Sequence, residues 1–151
     1  MIEDDGDIVR GLGFVVLHAA HLEGQIEDML FQLSAIEPYT EKEKKLPISK
    51  KIKKAINVLA KFKDSFALKI IEELNSCSEH FEWRNEVVHG RIYSPEYHDK
   101  NLVSGRENVP ARKADSSELY MLANNFVALK GRISWPLTLP NFIANAQKEN
   151  A

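Results

Sequence analysis

Hydrophobic residues recur along this chain at the three- and four-residue steps of an α-helix. Ile8, Leu12, Val16, Ala19, Leu22, Ile26, Leu30 and Leu33 form the first series, which predicts a long amphipathic helix. Asp5 or Asp7 offers its N-cap, and it ends before Pro38, because the residue preceding a proline is pushed out of the helical region. Residues 41 to 46 read as a polar, lysine-rich link. A second helix then carries Ile48, Ile52, Ile56 and Leu59 on one side, with Lys50, Lys51, Lys53 and Lys54 mostly around the other, toward solvent.

A third helix starts near Asp64 or Ser65 and runs through Phe66, Ile70, Leu74, Cys77, Phe81 and Val88 along a slowly drifting stripe. Gly90 is its natural stop, since glycine closes a last helical turn in the left-handed conformation at no steric cost. His89 is therefore expected at the helix C-terminus. Asp115 with Glu118 three residues later has capping-box spacing and announces a fourth helix through Leu119, Leu122, Phe126, Leu129 and Ile133. Pro136 and Pro140 break the chain, and Leu139 to Ala146 reads as one more short helix. Between the third and fourth helices, Pro95, Gly105 and Pro110 interrupt the pattern, and Arg91-Ile92-Tyr93 and Asn101-Leu102-Val103 read as short strands. The expected fold is all-α: an antiparallel bundle of four to five helices, with a small irregular or short β-hairpin insertion around residues 91–114.

Length adds that 151 residues suffice for one core, so a single domain over residues 1–151 is expected. Hydrophobic residues at 44% and charged residues at 28% give a globular balance. Cys77 is the lone cysteine, which excludes an internal disulfide and fits a reducing, cytoplasmic setting. The start, Met1-Ile2-Glu3-Asp4-Asp5, is acidic where a targeting signal is basic, and no apolar run approaches the ~20 residues that span a bilayer. Neither export nor membrane insertion is expected.

A net charge of -2 excludes a uniformly basic surface. The distribution is uneven: nine of the fourteen lysines fall between Lys42 and Lys63. Lys50, Lys51, Lys53 and Lys54, joined by Arg91, are candidates for contact with an RNA backbone. The plainer reading is a solvated face that keeps the chain soluble.

The chemically pointed segment is Arg84-Asn85-Glu86-Val87-Val88-His89-Gly90. On an ideal helix Asn85 and His89 share a face, whereas Arg84 lies about 140° around from His89. A two-fold dimer would resolve the divergence by setting the arginine of one copy against the histidine of the other. The residue types suit RNA cleavage without metal. Histidine titrates near neutral pH, so one copy can take the 2′-hydroxyl proton while a second gives a proton to the departing 5′-oxygen. Each chain supplies one such histidine, which again calls for two chains. Arg84 suits a phosphate oxyanion because its forked charge is permanent. Asn85 suits an orienting partner. The plainer reading is a surface arginine near a helix-end histidine that caps carbonyls.

At these residues the chain resembles the HEPN superfamily, helical dimeric domains in which an arginine, commonly followed by a polar residue, precedes a histidine by four to six residues. Arg84, Asn85 and His89 match that pattern. The resemblance implies a metal-independent endoribonuclease, often a toxin or anti-phage effector, with no cofactor and with its site across a homodimer. Some branches are non-catalytic binding modules. Others pair with a nucleotidyltransferase antitoxin that modifies a tyrosine two residues after the histidine; that position here is Arg91, and Tyr93 lies two further on.

Other groupings have weaker claims. His18, His21 and Glu23 are too few and wrongly spaced for the known helical zinc motif, and they read as polar groups at a core edge. Glu23 or Glu27 is a candidate partner for the Arg84 region. Trp83, Tyr93 and Tyr97 flank the motif and suit either stacking on unpaired bases or half-buried packing. No nucleophile elbow, phosphate-cradling glycine loop or dinucleotide fingerprint is present.

Overall fold

In a computed structural model, residues 1–92, 101–104, 112–113, 115–133, 143–144 and 148 are described, those at 90–92, 101–104 and 112–113 by their backbone alone. Among the described residues five helices form the frame: α1 (Ile8–Leu33), α2 (Glu41–Lys44), α3 (Ile48–Leu59), α4 (Ser65–His89) and α5 (Ser116–Ile133). The fold is all-α. Where the sequence pattern suggested a hairpin, β1 (Gly90–Ile92) pairs antiparallel with β2 (Asn101–Ser104), Arg91 opposite Val103, and β3 (Arg112–Lys113) joins the other side of β2. The positions of Tyr93, Pro95, Tyr97, Gly105, Pro110, Pro136 and Pro140 lie outside the described residues, as does most of the short helix expected over 139–146. None of the helices among the described residues is long and apolar enough to cross a membrane.

The helix starts follow their caps. Asp7 Oδ1 accepts from the backbone N–H of Arg10 at 3.0 Å, Asp64 Oδ1 from that of Phe66 at 2.8 Å, and Asp115 Oδ1 from that of Glu118 at 3.0 Å. Each bond satisfies a first-turn donor that the helix itself leaves unmet. The link expected at 41–46 is instead mostly the single turn α2. Its capping box was legible as Thr40-x-x-Glu43: the Thr40 hydroxyl accepts from Glu43 N–H, and the Glu43 carboxylate accepts from Thr40 N–H.

The chain divides into two compact units, each assembled from separated stretches. The first comprises Met1–Ala20 and Glu79–Ala128. It buries Val15 and Ala19 of α1, Phe81 and Val87 of α4, and Leu119, Tyr120, Leu122, Ala123 and Phe126 of α5. The predicted first-helix stripe is rotated here: Val16 is 50% exposed, and Gly11 and Val15 face inward instead. Gly11 is required by close approach, because a Cβ there would lie 2.9 Å from the Tyr120 ring. Tyr120 also donates to Asp5 Oδ1 at 2.7 Å, and Asn124 grips Ile2 through both its backbone N–H and carbonyl, at 2.8 and 3.0 Å. These bonds tie residues 2–5 along α5. Val88 is likewise turned out, 40% exposed, with Val87 buried in its place.

The second unit comprises His21–Ser78 and Leu129–Ala151. Its core includes Leu22, Ile26, Leu30 and Leu33 of α1, Ile52, Val58 and Leu59 of α3, Ile70 and Leu74 of α4, and Leu129 and Ile133 of α5. Each such side chain stabilises by about 1.5–3 kcal/mol on burial, well above what a solvent-screened ion pair such as Arg10–Asp5 contributes. Apolar periodicity therefore decides the helical fold. Cys77 belongs to this core, and burial, with Glu73 nearby, pushes its thiol up to about 12, so it stays protonated and inert.

Candidate functional site

Helix α4 sets the geometry of the motif. It runs unbroken from its Asp64 cap to His89, its last residue, after which Gly90 opens β1. His89 and Val88 are exposed, Asn85 and Arg84 are half-buried, and Val87 is buried. Asn85 and His89 stand one turn apart on one side, about 40° from each other in projection. Glu82 falls on the same side and is exposed. The outer face of this helix end is thus polar, and His89 is open to an incoming ligand.

Arg84 lies on the other side. Ile70, Cys77 and Arg84 recur every seven residues, so the arginine occupies the continuation of the buried stripe. Its Nε is buried, and its Cζ lies over the Phe81 ring, 5.6 Å from the centroid. Side chains on a helix lean over the turn N-terminal to their own Cα, and the guanidinium follows that rule. It reaches back toward residue 81, whereas His89 lies about 12 Å further along the axis from that turn. The two groups of one chain therefore point apart in azimuth.

Beneath Arg84 is an aromatic shelf. Phe81, 3% exposed, packs on Phe126, with ring centroids 5.4 Å apart and a 46° tilt. His80 meets Phe126 edge-on at 6.2 Å and lies 6.4 Å from Trp83. Trp83 is half-buried within this group, so packing accounts for part of its surface. The three-residue spacing of Phe81 and Arg84 on a helix is the sequence signal for such a pair.

The lysines of α3 fall into two classes. Lys50 and Lys53 are exposed. Lys51 and Lys54 depart from the expected solvent orientation, because acids on neighbouring segments draw them in. Lys51 Nζ meets Glu27 at 2.6 Å, and Glu27 also accepts from the Tyr39 hydroxyl at 2.7 Å. Burial alone would raise the Glu27 pKa, but the Lys51 and Tyr39 bonds outweigh it and hold it below the usual range. Lys54 Nζ bridges Glu43 at 2.6 Å and Glu37 at 3.7 Å, and donates to the Pro38 carbonyl at 3.1 Å. The Lys54 bond and the Thr40 cap depress Glu43 to about 2. Arg91 lies in β1, where the backbone alone is described.

The remaining candidates have structural roles. Glu27 is engaged by Lys51 and by the Tyr39 hydroxyl. His18 stacks on Phe14, with centroids 6.1 Å apart. Among the described residues, no three His, Cys, Asp or Glu side chains are placed to hold a metal ion. No protein-family model matches the chain, and neither does any curated protein or solved structure.

Proposed function

We propose that this chain is a metal-independent endoribonuclease of the HEPN type, resembling toxins and anti-phage effectors, whose site is completed by a second copy. The observation that carries the reading is the end of α4: His89 is exposed on the last turn, Asn85 stands one turn below it on the same side, and Arg84 is held on the opposite side. In one chain the arginine and the histidine diverge, and two copies of the same helix end across a two-fold axis bring opposite sides into one cleft.

In the proposed reaction one His89 imidazole removes the 2′-hydroxyl proton, and the 2′-oxygen attacks phosphorus. The P–O5′ bond breaks, and the imidazolium of the second copy protonates the departing oxygen. The products are a 2′,3′-cyclic phosphate and a 5′-hydroxyl. Arg84 stabilises the charge that grows on the phosphoryl oxygens, and Asn85 orients the imidazole. Lys50 and Lys53 are the α3 lysines exposed for the RNA backbone.

The test is incubation of purified protein with single-stranded RNA in chelator. Wild type is expected to leave cyclic-phosphate ends and His89→Ala to leave the RNA intact. Cleavage that persists in His89→Ala overturns the assignment. A second reading, a non-catalytic helical module that dimerises or partners a nucleotidyltransferase antitoxin, is favoured by one observation: the packing of Arg84 on Phe81 supports the fold without any substrate. Its expected outcome is a stable dimer that cuts no RNA.

A further inference from the structure

We infer that Phe81 is the positioning residue for Arg84, holding the guanidinium plane ready for a phosphate oxyanion. The inference rests on the ribonuclease reading for its catalytic consequence. An arginine side chain has four rotatable bonds before its fork, and a fork that wanders binds an oxyanion weakly and stabilises a transition state poorly. The Phe81 ring removes that freedom. Its centroid lies 5.6 Å from Arg84 Cζ, inside the range in which the ring quadrupole attracts a guanidinium.

The ring itself is fixed. Phe81 is 3% exposed and rests on Phe126, which is fully buried on α5 at 5.4 Å between centroids. A second helix thus braces the residue that braces the arginine. Nε itself is buried and does not face solvent.

The experiment compares wild type with Phe81→Leu, which keeps an apolar side chain of similar size, and Phe81→Tyr, which keeps the ring. Inorganic phosphate is titrated while the Arg84 side-chain N–H signals are followed by NMR, and kcat and KM are measured on single-stranded RNA. Wild-type Arg84 signals are expected to carry a ring-current shift and to move with phosphate. Phe81→Leu is expected to lose that shift, to weaken phosphate binding several-fold and to lower kcat roughly tenfold with little change in KM, in line with loss of one cation–π contact. Phe81→Tyr is expected to restore both.

The inference is overturned if wild-type Arg84 does not respond to phosphate, or if Phe81→Leu binds phosphate and turns over RNA like wild type. If phosphate binding depends on Phe81 as described but wild type cuts no RNA, the positioning role stands and the ribonuclease reading falls. If RNA is cut and Phe81→Leu is unaffected, the ribonuclease reading stands and the positioning role falls. Should Phe81→Leu unfold, Phe81→Tyr and Phe81→Met carry the comparison in its place.

Discussion

Arg84 Cζ lies over the Phe81 ring, 5.6 Å from its centroid, so the motif arginine is drawn toward the residue three positions before it, on the side of the helix away from His89, five positions after it. Such stacking uses the planar, delocalised charge of a guanidinium, which an ammonium lacks. Arg84→Lys, with charge conserved, is therefore expected to lower kcat/KM for RNA cleavage roughly hundredfold. Initial rates on single-stranded RNA in chelator check this. Rates near wild type would show that charge alone is enough and that the fork has no part.

A site that needs both copies of His89 makes a quantitative statement about mixtures. When wild type is co-refolded with equal His89→Ala, activity per wild-type chain should fall to about half, and total activity to about a quarter of that of an all-wild-type sample at the same total concentration. A site contained in one chain would leave about half of the total. Rates across a series of mixing ratios separate the square law from the straight line.

The α3 lysines should divide by orientation. Lys50→Glu with Lys53→Glu is expected to weaken RNA binding and reduce its salt dependence, with the melting temperature unchanged. Lys51→Ala and Lys54→Ala break the contacts with Glu27 and with Glu43 and Glu37. Each should lower Tm by about 3–5 °C with no change in RNA affinity. Equal effects of all four on RNA would return Lys51 and Lys54 to the binding face.

The depressed Glu43 pKa, about 2 against an ordinary 4.5, fixes the sign of a pH effect. The folded state prefers the carboxylate, so the contribution is fully present above about pH 4.5 and is lost as pH falls toward 2. Glu43→Gln should be less stable than wild type at pH 6, and the gap should close across that window. Urea midpoints measured from pH 6 to pH 2 test it. A gap that stays constant would mean that the capping geometry, rather than the charge, carries the effect.

What could be read in advance followed from local physics. The caps at Asp7, Asp64 and Asp115 and the end of α4 at His89 were legible, because capping and helical periodicity are properties of a few neighbouring residues. So was the α5 stripe, whose five positions Leu119, Leu122, Phe126, Leu129 and Ile133 are all buried. The turn α2 shows no apolar periodicity, and its only local signal is the capping box of Thr40 and Glu43. At the motif, sequence spacing alone shows that Arg84 and His89 diverge on a helix.

Tertiary structure decided the rest. Periodicity states that a helix has an apolar side, but which of two adjacent candidates faces inward depends on what packs there. Gly11 lies against the Tyr120 ring, with Val15 buried and Val16 exposed, and further along the chain Val87 is buried where Val88 is exposed. Lys51 and Lys54 are pulled from solvent by acids 11 to 24 positions earlier in the chain, as their bonds to Glu27, Glu37 and Glu43 show. The direction of the Arg84 side chain depends on a ring braced by Phe126, over forty residues away. Each of these outcomes rests on contacts between residues remote in sequence, and a helical repeat carries no information about them.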